Sequence, residues 1–198
     1  MITIEARMDL LSECVNIGLG RAAESLNRMC GSHVVLSAPE IRIMNRPSLA
    51  AAASDRCPTV CEGVFLPFSG IMRGMTALAF ARGDAAVLVT GLTQAMGMTA
   101  VSEQMRLDTL REVGNVVLVG VLGAMGTMLG VHVDYQPLFT GTNLTPLLEV
   151  ADACRTVTLY VRARFSLERY QATGEILVVL AQEGFTALIE ALDARLAG

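Results

Sequence analysis

Hydrophobic positions along this chain change period in a fixed order, and the order occurs twice. Residues 7–31 carry Leu10, Leu11, Cys14, Val15, Ile17 and Leu26 on one side of a helical period. That spacing predicts a long amphipathic helix that stops at Gly31. HVVLSAPEIRIM follows and reads as a strand. Next come a loop longer than a tight hairpin needs, two strands (VCEGVFLPF and MTALAFA) and a closing helix, GDAAVLVTGLTQAMG. The second half runs through a helix ending at Gly130, then HVDYQPLF, a long loop, VTLYVRARF, EILVVLA and the helix EGFTALIEALDARL. Alternation is clean in one of these strands: Val157, Leu159, Val161, Ala163 and Phe165 share one face, Thr158, Tyr160, Arg162 and Arg164 the other.

The two halves are copies. Residues 7–34, RMDLLSECVNIGLGRAAESLNRMCGSHV, align with residues 106–133, RLDTLREVGNVVLVGVLGAMGTMLGVHV, at a constant offset of 99 without a gap. Identical pairs include Arg7/Arg106, Asp9/Asp108, Leu11/Leu110, Glu13/Glu112, Asn16/Asn115, Gly31/Gly130 and His33/His132. The repeats cover about residues 1–99 and 100–198, no Pro/Gly/Ser-rich linker divides them, and each alone is a marginal core. The expected architecture is α+β: a single pseudo-twofold domain over residues 1–198, built from two α-β-β-β-α repeats. Its sheet should be rich in antiparallel pairs, with the two long motif helices exposed on one side.

Composition narrows the function. With 53% hydrophobic and 17% charged residues the chain is not a disordered one. A net charge of −4, with no cluster of Lys and Arg among aromatics, argues against nucleic acid as a partner. Residues 113–131 lack any charge and nearly match a membrane span. Their counterpart carries Arg21, Glu24 and Arg28, so the segment reads as a more deeply buried copy of a soluble helix, with no membrane insertion. The first residues, MITIEARMDLLSE, have no apolar run of the signal-peptide kind, and a cytoplasmic location is expected. Five cysteines leave an odd thiol; Cys57 and Cys61 are close but not spaced as a redox or zinc pair, and reduced thiols are the simplest reading.

Candidate chemistry sits on the repeated helix. Positions i, i+4 and i+7 form one narrow stripe, so Asp9, Glu13 and Asn16 line up, as do Asp108, Glu112 and Asn115. Both stripes should face away from the core. Gly20 continues the first stripe by a turn and leaves the surface low enough for a partner's backbone; Val119 stands there in the second. Acids near a helix N-terminus also favour the macrodipole, which by itself explains one stripe but not a matched pair. His33 and His132 lack the clustered Asp, Glu or Cys of a metal site. Met72, Met75, Met96, Met98 and Met105 read as core filling.

The stripe resembles the signature of the CheC, FliY and CheX phosphatases of bacterial chemotaxis: Asp or Ser, three residues, Glu, two residues, Asn, then 22 residues to a Pro. Asp9, Glu13, Asn16 and Pro39 match every spacing; Asp108, Glu112 and Asn115 match, with Pro137 one residue early. Two motifs in a chain of this length resemble CheC more than the single-motif CheX, and FliY-like proteins usually carry a further rotor-associated domain. The resemblance implies a phosphatase of the aspartyl phosphate on a CheY-like response regulator. Glu13 and Glu112 would pair with the partner's lysine, and Asn16 and Asn115 would orient the attacking water. Asp9, Asp108, Pro39 and Pro137 would support them. It implies no metal or cofactor of the chain's own, since Mg²⁺ is carried by the regulator, and it names CheD as a further partner. The rotor proteins of the FliM type resemble this fold without the Glu–Asn pair, so the alternative is a non-catalytic adaptor that binds the regulator.

Overall fold

Both long helices begin on a hydroxyl cap and stop on a left-handed glycine. The computed structural model describes residues 2–44, 47–48, 51, 61–70, 72–81, 83–98, 100–152 and 158–197. The first half contains α1 (Ile4–Cys30), β1 (Val34–Leu36), β2 (Glu40–Met44), β3 (Cys61–Gly70), β4 (Gly74–Ala81) and α2 (Asp84–Ala95). The second contains α3 (Glu103–Leu129), β5 (Val133–Tyr135), β6 (Phe139–Gly141), α4 (Thr145–Asp152), β7 (Thr158–Leu167), β8 (Ala172–Leu180) and α5 (Gln182–Ala197). The Thr3 hydroxyl accepts from the Ala6 N–H at 3.2 Å, and the Ser102 hydroxyl accepts from the Met105 N–H at 3.2 Å, each satisfying a donor the helix itself leaves free. Gly31 (φ 54°) and Gly130 (φ 66°) end the helices in the left-handed conformation that favours glycine.

The strand after each long helix differs from expectation. HVVLSAPEIRIM and HVDYQPLF each form two short strands rather than one, broken at 37–39 and at 136–138. Pro39 and Pro137 fall in these breaks, and proline has no N–H to give to a ladder. The long loop of the second half holds a helix that the hydrophobic pattern did not announce, α4.

All eight strands join one antiparallel sheet in the order β1-β7-β8-β4-β3-β5, with β2 also on β7 and β6 also on β3. The halves are exchanged across it. β1 and β2 of the first half pair with β7 of the second, while β5 and β6 of the second pair with β3 of the first. At the centre β4 meets β8 with Ala77 opposite Leu177 and Leu78 opposite Ile176. Moving each residue of the first pair by 99, to 176 and 78, returns the second pair, so the register obeys the repeat.

The sheet has two covered faces. Leu78, Phe80, Val161, Phe165, Ile176 and Val178 point into the main core with Leu11, Val15, Leu110, Val117, Leu188 and Leu192 of the helices. The opposite face carries Phe65, Met75, Ala77, Tyr160 and Val179 against Leu147 of α4, with Phe65 and Phe139 stacked at 5.3 Å. Tyr160 and Arg162, on the polar side of the β7 alternation, are buried there. Arg162 is held by Glu175, whose Oε2 accepts from Nε at 2.9 Å, and lies 3.7 Å from Glu40. A buried guanidinium persists only with such partners.

Candidate functional site

Each stripe is open to solvent because the other side of its helix is packed. On α1, Leu11, Cys14, Val15, Leu19 and Ala22 are buried, and Asp9, Glu13 and Asn16 are exposed. On α3, Leu110, Val113, Val117 and Leu118 are buried, and Asp108, Glu112 and Asn115 are exposed. Ile17, assigned above to the core side of the helix, is instead 36% exposed and borders Asn16. Burial, and then the charge of Glu13, push the Cys14 thiol up, so this cysteine is a packing group and not a nucleophile.

The two helices touch near their middles. A Cβ at Gly18 would lie 3.5 Å from the Ala124 Cβ and 3.2 Å from the Val121 Cα, whereas one at Gly120 would lie 3.8 Å from the Ala22 Cα. Advancing along α1 from 18 to 22 thus moves backwards along α3, and the helices run antiparallel. The two stripes lie towards opposite ends of the pair. Gly20 is exposed with no atom within 4 Å of the place a Cβ would take, so nothing inside the molecule requires its small size.

Arg7 and Arg106, identical across the repeat but given no role above, anchor the two stripes differently. Arg7 Nε and Nη2 donate to both carboxylate oxygens of Asp193 on α5, at 2.6 and 2.7 Å. That pairing raises the arginine and holds the Asp193 carboxyl below its ordinary value. Arg106 pairs with Glu103 at 2.7 Å on its own helix and with Glu62 on β3, which hold its guanidinium above the usual value. Their identity in both copies was the sequence signal for this fastening.

The stripes are also unequal. Gln104 Nε2 donates to both Asp108 oxygens at 3.0 Å, and Arg111 Nη1 lies 3.4 Å from Asp108 Oδ1. Among the described residues, Asp9, Glu13, Asn16, Glu112 and Asn115 have no side-chain hydrogen bond or ion pair. Their acceptors and amides are free to meet a partner.

The remaining candidates fall elsewhere. Pro39 is half-buried between β1 and β2, and Pro137 is exposed between β5 and β6. His33 and His132 are exposed just before β1 and β5, with His132 Nε2 3.1 Å from Asp134 Oδ1. No group of three His, Cys, Asp or Glu among the described residues is placed to hold a metal ion. Cys57 lies outside the described residues. Met72 and Met75 are core residues, but Met96, Met98 and Met105 are 65%, 38% and 36% exposed, which corrects their reading as core filling. Met96 and Met98 follow the end of α2, and Met105 lies in the first turn of α3. α3 is long and apolar enough to cross a membrane by composition, with mean hydropathy 1.6, yet 56% of that stretch is buried inside the protein.

No family model matches the sequence. The chain is similar to FliY of Thermotoga maritima, at TM-score 0.73 and 16% identity, over 98% of this chain and 99% of that one. The FliM middle domain from H. pylori aligns at TM-score 0.66 and 8% identity, over 96% and 99% of the two chains. The chemotaxis protein CheX from Desulfovibrio desulfuricans aligns at TM-score 0.58 and 12% identity, over 85% and 99%. The fold of this chain is the CheC-like fold that these proteins share.

Proposed function

We propose that this chain is a cytoplasmic phosphatase of the chemotaxis system that hydrolyses the aspartyl phosphate of a CheY-like response regulator. The observation that carries the reading is the pair of exposed Glu–Asn stripes, at the same register of two long helices, whose side chains have no partner among the described residues. The chain acts by completing a site on its partner, which brings its own Mg²⁺: an amide is no nucleophile, and the carboxylate of the pair serves docking rather than attack on the acyl phosphate. Glu13 and Glu112 pair with the regulator's lysine and fix the docking register. Asn16 and Asn115 then enter the phosphorylated pocket. An amide accepts a hydrogen bond from the attacking water and donates one to a phosphoryl oxygen without adding negative charge. Water attacks phosphorus, the bond to the aspartate oxygen breaks, and inorganic phosphate leaves. The fold's likeness to FliY and CheX supports this reading; its likeness to FliM domains favours a second one, an adaptor that binds the regulator and leaves its phosphate in place. CheD remains a partner proposed on resemblance alone.

The deciding experiment follows phosphate loss from a Mg²⁺-loaded, phosphorylated CheY-type regulator with wild type, Asn16→Ala, Asn115→Ala and the double variant. Wild type should accelerate the loss, and the folded double variant should be slower by about 10²–10³. Binding without any change in phosphate lifetime would establish the adaptor instead.

A further inference from the structure

The two stripes share their Asp, Glu and Asn but differ in what surrounds them. Arg111 follows Asp108 by three residues and precedes Asn115 by four, so on the helix surface it neighbours both. Its side chain is 43% exposed, while its Nε is buried without a partner, so the stem is pressed onto the protein and the guanidinium end reaches Asp108. Gln104 adds two more bonds to the same carboxylate. At the equivalent positions of α1 stand Ser12 and Glu5, and Asp9 is bound by neither. The first stripe therefore offers three carboxylates, of Glu5, Asp9 and Glu13, and α1 itself places no cation three or four residues either side of Asn16, the charge of Arg195 on the last helix being felt at Cys14 beneath. The second offers Asp108 and Glu112, with Asp108 already engaged and a guanidinium where a partner's ammonium would have to approach.

Resting on the phosphatase reading, we propose that Arg111 sets the specificity of the second stripe, making it the weaker docking site for a response regulator's lysine. Charges within about a Debye length, roughly 8 Å at physiological salt, act on docking and are screened as salt rises. Arg111 and Glu112 are adjacent, so a cation meeting Glu112 lies within that range of the guanidinium. The effect belongs to the encounter and the docked ground state, and so to KM. The water is oriented by Asn115, which Arg111 leaves in place, so kcat is little affected.

The test uses single-stripe proteins with a CheY-type regulator phosphorylated by acetyl phosphate in Mg²⁺. Asn16→Ala leaves the second stripe, compared with and without Arg111→Ser. Asn115→Ala leaves the first, compared with and without Ser12→Arg. At low salt Arg111→Ser should lower KM about two- to fivefold and Ser12→Arg should raise it by a similar factor. In each case kcat should stay within about twofold, and the KM differences should shrink at about 0.5 M salt. A KM that Arg111→Ser leaves unchanged or raises, in a protein whose circular dichroism matches the parent, overturns the assignment while the phosphatase reading stands. If the Asn16→Ala/Asn115→Ala protein retains wild-type turnover, hydrolysis does not run through the two stripes, and this inference falls; wild type that binds the regulator and leaves its phosphate lifetime unchanged overturns the phosphatase reading and this inference with it. Wild type that neither binds nor turns over the regulator overturns both.

Discussion

Gly18 and Val121 are the point where the two stripe-bearing helices meet: a Cβ added at Gly18 would stand 3.0 Å from the Val121 carbonyl oxygen. The contact involves backbone, which cannot swing aside as a side chain can. It sets the spacing of α1 and α3, and through them the positions of Asn16 and Asn115.

Enlarging this contact should therefore be costly. Gly18→Val forces the helices apart or displaces the Val121 turn and is expected to destabilise the protein by about 1–3 kcal/mol. A urea titration would show a lowered midpoint. An unchanged midpoint would mean that the helices separate freely, and that the close approach contributes nothing to their packing.

Gly20, two residues on, behaves oppositely. Nothing lies within 4 Å of its would-be Cβ and it is exposed in mid-helix, so Gly20→Ala should raise stability by about 0.5–1 kcal/mol. The same methyl group protrudes on the first stripe. In the Asn115→Ala background KM for the phosphorylated regulator should rise, so that a stabilising change weakens docking. A raised midpoint with unaltered KM would show that no partner approaches there.

The tie between Arg7 and Asp193 fastens the start of α1 to the last helix and should leave a signature in pH. Arg7 holds the Asp193 carboxyl below its ordinary value of 3.8. A carboxyl lowered in the folded state adds stability that is fully present above the unfolded value and lost as pH falls through the folded one. Asp193→Asn should accordingly lower Tm at pH 7, with the difference from wild type closing as the solution is acidified below 3.8. Thermal melts across that range measure it; a Tm gap of constant size would remove the ion pair as its cause.

Some features were legible in the sequence because they depend on near neighbours. The C-terminal ends of α1 and α3 followed from Gly31 and Gly130, where the stop is decided within a few residues. The outward position of Asp9, Glu13 and Asn16 followed from helical spacing against Leu11, Cys14 and Val15. Residue type misplaced Met96, read as core filling, and period alone was less reliable at the margins, putting Ile17 on the buried side; both are exposed. It also gave no hint that Arg162 would be buried, since that burial depends on Glu175 and Glu40 arriving from neighbouring strands.

By itself the sequence determined the two long helices with their glycine stops, the offset of 99 and the two acid–amide stripes, because these are written in local spacing and in the copying of one unit. Only the tertiary structure decided that the strands of each half complete the other's side of the sheet, and that Arg7 reaches a carboxylate 186 residues away. It alone also decided that the helices cross at Gly18 with their stripes towards opposite ends. The physical reason is that strand pairing and helix packing bury apolar area wherever complementary faces meet, and sequence distance does not enter that balance.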